Sequence, residues 1–473
     1  MRSRLTVTLG HAARLAARLR GGGRGGTAFP GLVMERTDPG FLARTLGRLP
    51  YGVIVVSGTN GKTTTTKMVV QLLREQGLKV FTNRTGSNFV RGVLAALLTE
   101  VDAAGRLDAD IAVLELDEAH AVHFVAQVRP RACLLLNVMR DQLDRFGEID
   151  YTASLLARIA SATREVVVVN ADDPRLASPA FLEPVTARTA AFGAGAGLRH
   201  LFLSDDDLRT GLAPAQGPAQ EAGAATYRSG GRSGPDSPAA TEDGATSPAG
   251  TASAAGTSVA PRVTLEAIEG QRATVRVDGT DHEVTFTIPG VHNLLNACAA
   301  LEVVLEVLGD DADLTGLLTT LGRVEAAFGR GEVLTLDGRP VQLSLVKNPA
   351  GFRMGLLSAA AQAHDGEVVM IAINDEYADG RDMSWLWDVE LDVLRPGGVA
   401  VVTGVRAWDM ALRLRYDEVA VALVEPDLRQ AVARMRQAAS QADRPVRIFT
   451  TYTAMLSLRA ILGELTDVEE VMS

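Results

Sequence analysis

Residues 57–64 read Ser-Gly-Thr-Asn-Gly-Lys-Thr-Thr, and their types and spacing suit phosphate chemistry. Gly58 and Gly61 allow the backbone N–H groups around Thr59 and Asn60 to approach a phosphate closely. A helix beginning at the end of this loop adds the partial positive charge of its N-terminus. Lys62 can reach the outer phosphates of a nucleotide, the Thr63 hydroxyl can ligate Mg2+, and Thr64 completes the loop. The general pattern G-x-x-x-x-G-K-[ST] is matched only in part. Val56 stands at the first glycine position and Gly58 comes two residues later. A second candidate is Glu115, at the end of the apolar run 110–116. A carboxylate at the C-terminal end of a strand beside such a loop is a Mg2+ ligand candidate.

Elements able to hold these groups lie on either side. Residues 53–56 are an apolar run leading in, and 65–76 suit a helix leading out. Runs 79–81, 110–116, 132–137 and 166–170 read as further strands separated by helical stretches, the pattern of a doubly wound parallel sheet. Such a sheet presents residues to a crevice at the C-terminal ends of its strands. Asn83, Arg84 and Asn88 are therefore candidate ligand contacts. Asp117 and Glu118 can be read as solvated acids capping the next helix. His120 and His123 have no third ligand in view and are read as non-metal. Residues 263–288 alternate apolar and polar around Asp278-Gly279, which predicts a small antiparallel hairpin. Residues 211–261 are dominated by Ala, Gly, Ser, Pro and Thr, and are expected to be a disordered insertion.

The bulk properties exclude several classes. A chain of 473 residues with 47% hydrophobic residues is globular, with room for two or three domains. A formal net charge of −10 argues against nucleic acid as a partner. Two cysteines, Cys133 and Cys298, build neither a disulfide framework nor a zinc cluster, and both sit in apolar runs that suit core positions. No apolar run reads as long enough to span a membrane. The first segment is basic, with Arg2, Arg4, Arg14, Arg18, Arg20 and Arg24. Residues 5–19 predict an amphipathic helix, with attraction to anionic headgroups as an alternative to a purely structural role.

Two further stretches carry polar groups. In Ile-Pro-Gly-Val-His-Asn-Leu-Leu-Asn, residues 288–296, Asn293 and Asn296 are three apart and share a helix face. A carboxamide offers both donor and acceptor to a base edge. Near the C-terminus, strand 368–374 leads into Asp379, Asp382, Trp385, Trp387 and Asp388. Trp385 and Trp387 are of the kind that anchors an interface.

These motifs resemble the Mur ligase family, ATP-dependent enzymes that join an amine to a carboxylate. Residues 58–64 match its loop G-T-x-G-K-T-T, Glu115 its metal-binding Glu, and residues 292–296 its H-N-x-x-N, whose asparagines meet the adenine. Arg330, in Gly-Arg-Gly-Glu, matches its G-R-x-E, whose Arg approaches the nucleotide. The resemblance implies an α/β fold: a P-loop central domain with a doubly wound parallel sheet (46–322), after a basic segment (1–45), then a Rossmann-like domain (323–473). It implies ATP and Mg2+, the latter held by Thr63 and Glu115.

The departures form their own pattern. Asp141-Gln142-Leu143-Asp144 replaces D-H-L-D, which puts a second metal in doubt because an amide is a poorer ligand than imidazole. Lys347 and Ser344 replace the His and Asp of D-Y-A-H-N-P. With Asp379-Gly-Arg-Asp382-Met-Ser-Trp and Arg406-Ala-Trp-Asp-Met, these features are similar to the MurT group. That similarity implies cytoplasmic amidation of the D-glutamate α-carboxylate of lipid II at the membrane surface. It implies ammonia from a GatD-like glutamine amidotransferase, because no cysteine here stands in a nucleophile-elbow context. It also implies that an aspartate, assigned to Asp382 ahead of Asp379 and Asp388, completes the partner's Cys-His pair. Many of the group carry a four-cysteine zinc ribbon, and its cysteines are lacking in this sequence. A conventional Mur ligase, a folylpolyglutamate synthase-like enzyme, and a nucleotide-dependent scaffold without chemistry remain alternatives.

Overall fold

The computed structural model describes residues 2–20, 28–83, 88–140, 149–202, 259–325, 330–362 and 366–466. Helices α1 (Arg2–Arg20), α2 (Ala28–Thr37) and α3 (Phe41–Leu46) come first. They are followed by β1 (Val53–Ser57), α4 (Lys62–Glu75), β2 (Val80–Thr82), α5 (Val90–Glu100), β3 (Ile111–Glu115) and α6 (Glu118–Val125). β4 (Ala132–Leu135), α7 (Ile149–Ala162), β5 (Val166–Asn170), α8 (Pro179–Leu182) and β6 (Arg188–Ala194) continue the alternation. β7 (Val263–Glu269), β8 (Arg272–Val277) and β9 (Thr280–Thr285) lead to α9 (Val291–Leu308) and α10 (Leu314–Arg323).

These strands make one nine-stranded sheet in the order β2-β3-β1-β4-β5-β6-β7-β8-β9. β1 lies parallel between β3 and β4, so the winding reverses there. That reversal is where an open α/β sheet offers its ligand crevice. Strand β1 shows why the sheet is covered on both faces. Ile54 and Val56 belong to one apolar cluster with α4 and α9, and Val53 and Val55 to the opposite one with α3 and α5. Each fully buried Val or Ile contributes about 1.5–3 kcal/mol.

The expected hairpin at 263–288 is instead a three-stranded meander. β7 joins β6 in parallel and extends the main sheet, while β7-β8-β9 are antiparallel. The turn at Asp278 and Gly279 has φ of 49° and 80°, the left-handed pair that a two-residue hairpin turn requires. The expected insertion lies outside the described residues except for 259–261. Of those, Val259 packs against the second core cluster. The expectation about membrane spans needs correction. Val291–Asp311 is long and apolar enough to cross a membrane, but most of it is buried as the central core helix.

The remaining strands are β10 (Arg330–Leu336), β11 (Arg339–Leu345), β12 (Val368–Ala372), β13 (Val401–Thr403) and β14 (Val446–Thr450). With α11 (Pro349–Gln362), α12 (Ala407–Tyr416), α13 (Leu428–Ala442) and α14 (Tyr452–Gly463) they form a second α/β layer structure. Its sheet order is β10-β11-β14-β12-β13, parallel except for the β10-β11 edge pair. The doubly wound P-loop sheet and the Rossmann-like second sheet are both present.

Candidate active site

The loop after β1 is held by its neighbours rather than by itself. Thr59 N donates to Asn137 O at 3.1 Å, and Asn60 N donates to Asn137 Oδ1 at 2.8 Å. Asn137 Nδ2 returns a bond to Asn60 O at 3.1 Å. Gly58 has φ 127° and Gly61 φ 86°. A Cβ on Gly61 would come 2.8 Å from Asn296 Oδ1, so only glycine fits both the backbone angle and the contact. Helix α4 starts at Lys62, earlier than the apolar periodicity indicates, because its first turn is polar and faces the site.

Lys62 is buried and curls back over the loop. Its Nζ donates to Gly58 O at 2.6 Å and faces Asp117 Oδ1 at 3.3 Å and Glu118 Oε2 at 3.4 Å. Asp117 and Glu118 are therefore not solvated caps, and Glu118 is fully buried. Burial acts to raise the pKa of Asp117. The charge of Lys62, a hydrogen bond with Glu118 and the charge of Lys347 outweigh it and hold the carboxyl well below the usual range. Burial and the neighbouring Asp117 charge push Glu118 up, against the pull of Lys62. The pair thus divides its roles, with Asp117 ionised beside two lysines and Glu118 holding a proton more firmly.

Thr63 Oγ1 donates to Glu115 Oε1 at 2.9 Å. Two hard oxygen donors side by side at a phosphate loop are the donor set that Mg2+ prefers, so these residues fit the ion. Glu115 is fixed in turn by Asn83. Asn83 Nδ2 donates to Glu115 O at 2.8 Å, and Glu115 N donates to Asn83 Oδ1 at 2.9 Å. Asn83 therefore positions the carboxylate rather than presenting its own amide. Arg84 and the Asp141-Gln142-Asp144 stretch lie outside the described residues.

A cavity of about 180 Å3 runs from the loop to α9 and on to α11. Asn293 and Asn296 both line it, together with Lys62, Gln342, Lys347 and Ser358. Asn293 Nδ2 donates to Pro289 O at 2.6 Å, which leaves its carbonyl oxygen for a ligand. Arg330 opens β10, but its side chain is outside the described residues. Sequence reasoning missed the contact that closes this cavity. Asn348, fully buried at the start of α11, donates through Nδ2 to Asn60 Oδ1 at 3.1 Å. Asn60 Nδ2 returns toward Asn348 Oδ1 at 3.4 Å, and Gly351 N anchors the same oxygen at 2.8 Å. This reciprocal amide pair ties the second α/β layer structure to the tip of the phosphate loop and seats Lys347 beside Asp117.

The acidic loop after β12 does not join the cavity. Asp379 is buried and accepts from Thr453 N at 2.7 Å and Thr453 Oγ1 at 2.5 Å, so it braces the loop from inside. Asp388 pairs with Arg140, in the segment after β4, at 2.8 Å. Asp382 Oδ1 accepts from Ser384 N at 2.9 Å and remains partly exposed, its pKa lowered by the Ser384 hydrogen bonds. Trp385 is not an interface anchor. It is buried against Phe352, with ring centroids 6.5 Å apart. Trp387 is half exposed and meets Tyr416 edge-on at 5.1 Å. Both cysteines are buried. Burial pushes the Cys133 thiol up to about 12 and raises Cys298 as well, so neither is a ready nucleophile.

The chain is similar to known proteins in sequence and fold. Residues 56–208 match the family model for the Mur ligase middle domain, and residues 345–455 that for the MurT ligase C-terminal domain. The chain is 29% identical over 460 residues to the Streptococcus pneumoniae protein "Lipid II isoglutaminyl synthase (glutamine-hydrolyzing) subunit MurT", covering 95% of each. It is 28% identical to the Staphylococcus aureus (strain COL) protein of the same name, covering 90% of this chain and 91% of the relative. The MurF ligase of Thermotoga maritima in complex with ADP superposes with a TM-score of 0.62 at 18% identity, covering 90% of this chain and 83% of that one. With family models matching part of each sheet and relatives matching nearly the whole length, the chain is similar to the Mur ligase family, and to its MurT group in particular.

Proposed function

We propose that this chain is an ATP-dependent ligase that amidates lipid II, converting the D-glutamate α-carboxylate to D-isoglutamine in peptidoglycan synthesis. The observation that carries the reading is the joined cavity. A phosphate loop in which Thr63 meets Glu115 and Lys62 meets Asp117 and Glu118 opens toward Asn293 and Asn296, with Lys347 lining the cavity from the second sheet and Asn348 bonded to Asn60 of the loop. The match over 95% of a lipid II isoglutaminyl synthase subunit supports the substrate. We place the domain boundary near residue 323, with the chain working in the cytoplasm where the lipid carrier presents its head group.

A carboxylate does not accept ammonia directly, because its leaving group is poor. Its oxygen attacks the γ-phosphorus of ATP, ADP departs, and an acyl phosphate forms. Lys62 shares its charge between the loop carbonyl and the phosphates, and Lys347 adds a second cation from the other side. Thr63 and Glu115 would hold Mg2+, which neutralises phosphate charge when bound. Asn293, Asn296 and Arg330 orient the nucleotide. Ammonia then adds to the acyl carbon, and the adduct expels phosphate, which leaves with the proton lost from nitrogen. The nitrogen source is a GatD-like glutamine amidotransferase, since Cys133 and Cys298 are buried with raised pKa values. Asp382 reaches that partner's Cys-His pair and orients its imidazole.

The test is ADP release by the purified complex with lipid II, supplied with ammonium, glutamine or free amino acids in turn. Turnover with ammonium and glutamine, yielding amidated lipid II, is the expected result. Turnover only with an amino acid would replace this reading with a conventional ligase.

A further inference from the structure

Helix α1 has two faces of different character. Thr6, Val7, Gly10 and Ala13 are buried against α2 and α5, and a Cβ on Gly10 would come 2.8 Å from Leu98. The opposite face is largely apolar, interrupted by exposed Thr8, and is uncovered among the described residues. Leu5 is 61% exposed, Leu9 37%, Leu15 61% and Leu19 81%, and Ala12 and Ala16 between them are exposed too. At 3.6 residues per turn, positions 5, 9, 12, 16 and 19 fall within an arc of roughly 80°. Arg2 and Arg4, both exposed, border that arc on opposite sides, Arg2 with its Nε 3.7 Å from Asp38 Oδ1.

Charge along the sequence is equally one-sided. Residues 1–34 contain six arginines and no Asp or Glu, in a chain whose net charge is −10. An outward leucine stripe bordered by arginine is the form of a helix lying in a lipid interface, with leucines among the acyl chains and guanidinium groups at the head groups. A second copy of this chain would bring the same basic face against itself, so like charges oppose self-association. An anionic bilayer complements both the leucines and the arginines, while the acidic remainder of the chain is kept off it.

We infer that the outer face of α1 docks the protein on an anionic phospholipid surface. This deepens the proposed function, because a lipid-linked substrate would then be met in two dimensions. The inference rests on that reading only for its purpose, since the docking can be measured without turnover.

The experiment is co-sedimentation of the full chain, with its glutaminase partner bound, with vesicles of phosphatidylcholine alone or mixed with phosphatidylglycerol. Binding to the phosphatidylglycerol vesicles alone, weakened by salt, is expected. The variant Leu5→Gln/Leu9→Gln/Leu19→Gln should reduce that binding by about tenfold or more. Its melting temperature and nucleotide affinity should stay unchanged, because these side chains face outward and away from the cavity. It should also lose turnover of lipid II in vesicles while keeping that of detergent-dispersed lipid II. Absent binding, equal binding by the variant, or a leucine-dependent dimer in its place would each overturn the inference. Intact vesicle binding without amidation would instead contradict the proposed function alone.

Discussion

The loop after β1 and the loop after β12 occupy equivalent places in two α/β sheets, yet they are built differently. After β1, the groups that could do chemistry bond to one another. Lys62 faces Asp117 and Glu118, and Thr63 meets Glu115. After β12, the carboxylates are dispersed: Asp379 turns inward, Asp388 pairs with Arg140, and Asp382 stays at the surface. A set of buried, mutually bonded groups is pre-arranged for phosphate chemistry. A lone, partly exposed carboxylate completes nothing on its own.

Removing the centre of the first loop should have the largest effect. Lys62→Ala should lower amidation on the order of a thousandfold. It also leaves Asp117 and Glu118 without the cation they share, with only Lys347 beside Asp117, so the melting temperature should fall and the deficit should narrow at acidic pH. Full activity in this variant would dissolve the contrast between the two loops.

The second loop offers a sharper test. Asp382→Asn should abolish glutamine-driven amidation while sparing the reaction with added ammonium. Equal loss of both would move Asp382 into the ligase site, and loss of neither would leave it as a turn cap on Ser384.

The Asn60–Asn348 pair joins the two regions. Asn348→Ala should raise the KM for ATP and lower kcat by about 10- to 100-fold, because Lys347 is no longer seated. Asn60→Ala/Asn348→Ala should be no worse than the single variants if the residues act only through each other. Additive losses would separate their roles.

The smallest effect on turnover lies away from both loops, and it is read in stability instead. Glu302 on α9 is fully buried, and neither carboxylate oxygen has a hydrogen-bond partner among the described residues. Burial first, then the charge of Glu306, pushes its pKa up to about 8, against Arg262 and Arg188. The unfolded chain ionises this group at about 4.3, so stability falls by up to about 1.4 kcal/mol per pH unit from there to the folded pKa. Glu302→Gln should match the parent in thermal melting near the lower limit and melt higher at the upper one. A constant offset between the two proteins would place the Glu302 effect in packing instead.

Local spacing made part of this site legible. The loop and the Asn293–Asn296 pair are each written within a few residues, and both line one cavity, with Glu115 bonded to Thr63 of the loop. Contacts between distant segments were not legible. Asn60 and Asn348 are 288 residues apart, and Lys62 and Asp117 are 55 apart. The same limit explains Trp385, which looked like an anchor until Phe352 covered it. It also explains the meander, whose strands alternate like a free hairpin but join β6 through partners beyond their own stretch.

The central claim is that amidation proceeds through an acyl phosphate with ammonia as acceptor. The direct measurement uses lipid II carrying oxygen-18 in the D-glutamate α-carboxylate, with ATP, glutamine and the complete complex. The account predicts one labelled oxygen in each phosphate released and an amide on each lipid II consumed. Unlabelled phosphate, or phosphate released without amide, would contradict it.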